Sequence, residues 1–418
     1  MIDQLPEHRR LPADVRMRAR RRLSEGMRPA ARTGRPVLIA AGVSVLAAGA
    51  VVASQALLGT AAQVAAPPYQ HNGEFVGKDQ AVVNHVESRT VDPDSLARCG
   101  AAAKDHPPVG DWAPLATSRK NGTVLTAFFT PAGVFFCANT ATTTTVSPPV
   151  ADGPIADGSR QVKILFTTPG GAMAGLVSPD VRFLTLSRIG DRGDHTTTPA
   201  VVDGLFLAPS GFTKAENGTT ALANGEEFAV RGVARPTAPV VDRPLPPADR
   251  AAPDARAFGE CLRDRAVPDA DQFASTLTVR LSATSTLRAG RFADLLFVCV
   301  DSAGEPVRGS VHDLDDLEEV RGATIAALPV FYDFRPQKSP EGVEHDASTT
   351  FAGVGLVTDP RVASVTYTRP GTADVPASLS GGTFVLTAPL IDRHPGARVV
   401  VRDAAGEVLE TIKPKDVP

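Results

Sequence analysis

Histidine is sparse in this chain of 418 residues and is never paired. The eight histidines (His8, His71, His85, His106, His195, His312, His345 and His394) include no two at i, i+3 or i+4. A zinc site built on local spacing is therefore excluded, and no metal ligand is assigned. Nucleophile signatures are also missing. There is no Gly-x-Ser-x-Gly elbow and no Ser-x-x-Lys dyad, so no catalytic residue is assigned. Gly170-Gly171 and Gly381-Gly382 are isolated glycine pairs, not phosphate loops, and no cofactor is implied. Ser210 stands in Pro-Ser-Gly, a turn sequence. Aromatic residues are few, with Trp112 the only tryptophan and three tyrosines.

Charge of either sign is absent from residues 37–58, VLIAAGVSVLAAGAVVASQALL. A helix of that length crosses a bilayer core of about 30 Å. Ten arginines and four acids precede it, a balance of +6, and no basic residue follows until Lys78. The remaining 33 basic and 42 acidic residues leave the rest at −9. The positive-inside rule then places residues 1–35 in the cytoplasm, 36–59 in the membrane and the bulk of the chain outside. A cleaved signal peptide ending near AAQVAA (residues 61–66) is the competing reading. The long basic leader and long apolar run favour an uncleaved anchor. Residues 11–25 (LPADVRMRARRRLSE) fit a short basic helix on anionic lipid or a docking helix for a cytoplasmic regulator. The segment has no aromatic residue, and nucleic-acid binding is not expected.

Only four cysteines occur, and their spacing repeats: Cys99 to Cys137 and Cys261 to Cys299 are each 38 residues apart. Equal spacing predicts two disulfides, Cys99–Cys137 and Cys261–Cys299, one in each of two copies of a domain. Other matches extend the repeat. Leu96 and Phe258 lie three residues before their cysteines on predicted helices, each preceded by a proline and an acid. The strands GVFFC and LLFVC close the two disulfide loops. Downstream, Gly175-Leu-Val and Gly355-Leu-Val lead to Gly204-Leu-Phe and Gly382-Thr-Phe. The last strands are expected at residues 227–233 and 397–403. The second copy is longer between its second cysteine and Gly355, with extra residues around 311–320 and 337–345.

The fold class is thus α+β: one transmembrane helix, then two homologous, mainly antiparallel β-rich domains, each a disulfide-stapled helix with about six strands. The boundaries are 1–35 basic cytoplasmic segment, 36–59 membrane helix, 60–77 spacer, 78–234 first domain, 235–254 proline-rich linker, 255–412 second domain and 413–418 tail. Six prolines in the linker predict a semi-rigid, extended spacer.

Three further segments carry two readings each. Asp313, Asp315, Asp316, Glu318 and Glu319 form an acid cluster, read as a solvated face ahead of a metal site. Asn121-Gly-Thr and Asn217-Gly-Thr match a glycosylation sequon, but Asn-Gly is first a hairpin turn. Residues 140–145 (TATTTT) read as a strand or loop, with a mannosylated tip as the alternative.

The leader LPADVRMRARRRL, the Ala/Val/Gly anchor and the acidic outer repeats resemble single-pass membrane proteins of high-GC Gram-positive bacteria. In layout they resemble anti-sigma factors, with a cytoplasmic segment, one span and an outer sensor. The zinc-containing members of that group carry a His and a Cys-x-x-Cys before the membrane; residues 1–35 contain no cysteine. The leading functional expectation is a non-enzymatic, membrane-anchored extracytoplasmic protein that binds an envelope protein or ligand. A signalling protein relaying outer binding to residues 1–35, and a cell-surface enzyme with its site in the second copy's insertion, are the alternatives.

Overall fold

The runs GVFFC and LLFVC are apolar on consecutive residues because both faces of the strand they form are buried. Side chains alternate across a strand, so adjacent apolar residues enter different cores. In Gly133–Asn139, Phe136 and Ala138 face one core with Leu125 and Phe166, while Phe135 and Cys137 face another with Phe128 and Trp112. In Leu295–Ser302, Leu296, Val298 and Val300 take one side and Leu295, Phe297 and Cys299 the other.

The computed structural model describes residues 86–414 except 152, 154, 191–192, 211–218, 233, 264, 304–306, 318–319, 333–335, 339–343, 347–349 and 389–393. The predicted segments 1–35, 36–59 and 60–77 lie outside the described residues, as does Asn217. Among the described residues no helix is long and apolar enough to cross a membrane.

The described chain is mostly β-sheet with two α-helices, α1 (Pro93–Ala102) and α2 (Pro253–Leu262). Both begin with proline, whose fixed φ suits the first turn. Asp92 caps α1 by accepting from the Ser95 amide at 2.8 Å. The Cys99–Cys137 and Cys261–Cys299 disulfides are both formed, with Cα separations of 6.1 and 6.2 Å. Each ties a helix to the closing strand of an antiparallel sheet.

The two halves share a strand order. In the first, the strands Ala200–Val202, Leu205–Ala208, Met173–Val177 and Gln161–Thr167 lie side by side in one sheet. In the second, Ser378–Ser380, Thr383–Leu386, Thr350–Val357 and Ile325–Tyr332 repeat that order. A second set, Gly193–Thr197, Leu184–Gly190, Thr219–Ala223 and Glu226–Arg231, corresponds to Val375–Pro376, Ser364–Thr368, Arg398–Arg402 and Val408–Ile412. In the first half the two sets fuse through a parallel pairing of Glu226–Arg231 with Gln161–Thr167. In the second half the Glu410 carboxylate takes that place, accepting from the Ala323 and Thr324 amides at 3.0 and 2.9 Å.

The matched glycines have a packing reason. Gly175 pairs with Phe206 and Gly355 with Phe384, and both rings are fully buried. A Cβ on Gly175 would lie 1.9 Å from the Lys163 carbonyl oxygen and 2.8 Å from the Phe206 ring; on Gly355 the distances are 2.2 Å to the Ala326 oxygen and 2.6 Å to the Phe384 ring. The missing side chain leaves a notch that each phenylalanine fills. Gly204 and Gly382 each accept from a valine amide, Val177 or Val357, at 2.8 Å.

Two sequence expectations need correction. Strands are more numerous than six per copy; among the described residues thirteen lie between Val86 and Arg231. Two-residue turns such as Asp203-Gly204, both at positive φ (48° and 75°), divide stretches that read as single strands. The last strands are also misaligned in sequence. Residues 397–403 correspond to Thr219–Ala223, and the counterpart of Glu226–Arg231 is Val408–Ile412.

Each disulfide closes a 38-residue separation, so replacing either cysteine pair with serine should cost about 3–4 kcal/mol in the chain-entropy model. Denaturant titration of each variant measures it, and an unchanged midpoint would refute the stapling role. Gly175→Ala and Gly355→Ala should each destabilise by about 1–3 kcal/mol or more, since the added carbon meets backbone; the same titration reads the loss.

Candidate functional site: the cleft between the halves

Arg98 follows from α1's geometry. It precedes Cys99, so the disulfide that anchors the helix also aims its guanidinium along the edge of the first sheet. Arg98 Nε and Nη2 donate to Asp242 Oδ2 and Oδ1 at 2.6 and 2.8 Å. Nη1 and Nη2 donate to the Thr140 and Thr143 carbonyls at 2.7 and 3.1 Å. A forked guanidinium satisfies a carboxylate and two carbonyls from one plane, which a lysine cannot do. The Asp242 bond raises the Arg98 pKa, and the Arg98 bond holds the Asp242 carboxyl below the usual carboxylate range against the effect of burial.

Asp242 belongs to the proline-rich linker, which is therefore not free chain. Val240–Val241 pairs antiparallel with Thr144 and Thr143 as the outermost strand of the first sheet. Thr144 Oγ1 donates to Asn139 Oδ1 at 2.7 Å and to Asp242 Oδ2 at 3.2 Å. Arg243 pairs with Asp94 on α1. The TATTTT segment is thus the strand Thr143–Val146 and its turn, with Thr142, Thr144 and Thr145 buried.

The second half meets this edge at Asp269. Its backbone is left-handed (φ 49°, ψ 38°), a region aspartate tolerates better than most residues. The carboxylate is not spent on its own turn. It accepts from Thr140 Oγ1 at 2.8 Å, from the Ala141 amide at 2.9 Å and from Thr142 Oγ1. Beside it, the backbone of Gly170 lies so close to Pro268 that a Cβ would sit 3.2 Å from the Pro268 Cα.

Between these contacts opens a cleft of about 520 Å³, within the usual size of ligand pockets. One wall is the hydroxyl-rich edge with Thr140, Thr142 and Thr145; a second is the linker with Pro239, Val241 and Leu245; a third is the second half with Pro268, Asp269 and Gln272. Val241 is 61% exposed and Leu245 49%. Apolar side chains held open to solvent on and just beyond a docked strand are available to a partner.

A second set of contacts joins the halves away from the cleft. The Asn121 amide donates to Asp313 Oδ2 at 2.8 Å, and the Asp313 amide donates to Asn121 Oδ1 at 3.1 Å. Lys120 pairs with Asp316, whose other neighbour is His312 Nδ1 at 3.8 Å. Burial pushes the Asp316 carboxyl up, but His312 and Lys120 outweigh it and hold the group below its ordinary value. Asp313 and Asp316 are therefore not part of a solvated face; they clasp the Asn121-Gly122 hairpin. Asn121 also donates to Ser210 Oγ at 3.0 Å, consistent with the hairpin reading of this Asn-Gly.

The four cysteines stand behind the site rather than in it. His106 packs edge-on to Phe135 with Nε2 2.7 Å from the Ser147 carbonyl. No group of His, Cys, Asp or Glu among the described residues is arranged to hold a metal ion. The residues that sequence reasoning missed are Arg98, Asp242 and Asp269. They are separated by 144 and 27 positions, and none belongs to a motif. The available signal was that the proline-rich linker carries Asp-Arg pairs, Asp242-Arg243 and Asp249-Arg250, which a plain spacer has no need of. No protein-family model, curated protein or solved structure matches the chain.

Asp242 and Asp316 both have lowered folded pKa values, so their contribution is present above the ordinary aspartate pKa of about 4 and lost as pH falls through the lower folded values. Asp242→Asn and Asp316→Asn should each be less stable than the parent at neutral pH and lose less stability on acidification below about pH 4. Denaturant midpoints across that range measure it. Parallel parent and variant curves would refute the assignment.

Proposed function

We propose that this chain is a membrane-anchored extracytoplasmic binding protein that works without catalysis, built by duplication of one disulfide-stapled β-rich domain. Its ligand site is the cleft between the copies. The observation that carries this reading is the cleft's construction from three separate parts, the first copy's threonine edge, the docked linker and the second copy's Asp269 turn. A linker needed only as a spacer has no use for an ion pair to α1 and two exposed valines on a sheet edge. The matched residues of the two copies are fold-making (Cys, Gly, Phe, Val), and the residues that differ between them line the cleft and the clasp. Duplication thus supplies a scaffold, and the asymmetric junction supplies the site.

In this reading residues 37–58 cross the bilayer, residues 1–35 remain cytoplasmic, and the disulfides form outside the cytoplasm. Protease added to intact cells should digest the region beyond residue 60 and leave the N-terminal segment protected. Protection of the whole chain would overturn this topology. For the cleft, a photo-crosslinking residue at Leu245 in the native membrane should give a discrete adduct. The same residue at Val408, which is 51% exposed but outside the cleft, should not. Equal labelling at both positions would refute the cleft as the binding site.

A further inference from the structure

The turn of Thr140, Ala141 and Thr142 presents one amide and two hydroxyls to a single point, and a carboxylate already sits there. Asp269 reaches it from the other half, with Oδ1 facing the hydroxyls and Oδ2 the Ala141 amide. Arg98 holds the far side of the same turn through the Thr140 carbonyl, so the donors are pre-oriented whether or not Asp269 is seated. Thr140 Oγ1 is further positioned by Thr143, whose amide donates to it at 3.1 Å. Convergent donors on a fixed turn make an oxyanion site, and such donors are strongest towards a charged acceptor. The turn also lines the cleft, with Thr140 and Thr142 on its hydroxyl-rich wall.

We propose that this turn is a carboxylate receptor, filled in cis by Asp269, and that a carboxylate-bearing ligand entering the cleft takes Asp269's place and thereby releases a polar attachment between the halves. The inference rests on the cleft reading and names the ligand's anchoring group. Displacement exchanges one carboxylate for another, so it requires no new donors. The intramolecular carboxylate competes at an effective concentration in the millimolar range, on the order expected for a short tether. A simple monocarboxylate below the millimolar range therefore does not displace it from the parent protein, and a ligand that acts at such concentrations must draw further contacts from the apolar wall of Val241 and Leu245.

Removing Asp269 unmasks the receptor. In the full-length protein in detergent, Asp269→Ala should lower Tm by about 2–4 °C. Acetate should restore it saturably, whereas chloride at equal ionic strength should not. Thr142 Oγ1 serves Asp269 in this arrangement, so the double variant D269A/T142V should lose the acetate response. Where Asp269→Ala fails to fold, Asp269→Gly, which adopts the positive φ of 49° without strain and leaves the turn empty, replaces it with the same titrations. Absence of a saturable acetate effect, an equal effect in the double variant, or rescue by inorganic phosphate and not acetate would each overturn the proposal. Acetate rescue without a Leu245 adduct would keep the receptor and remove the cleft reading; an adduct without rescue would do the reverse.

Discussion

The Arg98–Asp242 pair is the constraint on which the junction depends. One guanidinium, buried to about a tenth of its free exposure, binds the linker and the threonine turn together. Without that pair the linker loses its main attachment to α1 and the threonine turn loses the donor behind it. The Cys99–Cys137 bond matters to the site for this reason. It holds the helix that aims Arg98, and a rotation of that helix would carry the guanidinium off its partners. Asp269 then closes the arrangement from the other side, joining the halves by charge-assisted hydrogen bonds rather than by a broad apolar face.

The two halves keep one topology and diverge where they meet other parts. Both place a phenylalanine ring over a glycine notch, and both bind a valine amide to the next hairpin's glycine. The helices differ in placement. α1 lies along Gly133–Asn139 and Thr143–Val146, leaving its outer face to receive the linker. α2 lies instead along Ala274–Arg280 and Ser285–Phe292, where Phe258 fits over Gly290. The second copy's long turn, with Asp313 and Asp316, clasps the first copy's hairpin, so its extra length serves the union of the halves.

Much of each copy was legible in the chain. Proline and aspartate before an amphipathic stretch marked both helices, and GVFFC and LLFVC marked strands buried on both faces. The equal cysteine spacing paired the disulfides. Strand number was not legible, because strands of two or three residues such as Ala200–Val202 are too short to show an alternating period. The alignment of the final strands also failed, since short valine-rich strands in the last third of each copy resemble one another more than they resemble their counterparts.

By itself, the sequence determined the repeat, the disulfide pairing and the charge asymmetry around residues 37–58, because each rests on spacing or composition along one chain. Tertiary structure alone decided that Val240–Val241 of the linker docks as a strand, that Asp313 and Asp316 form a clasp and that a cleft exists. Those outcomes depend on Arg98, Asp242 and Asp269 meeting across long separations. An ion pair or a carboxylate in a donor turn has no periodicity, and any exposed Arg or Asp looks the same in sequence until folding chooses its partner.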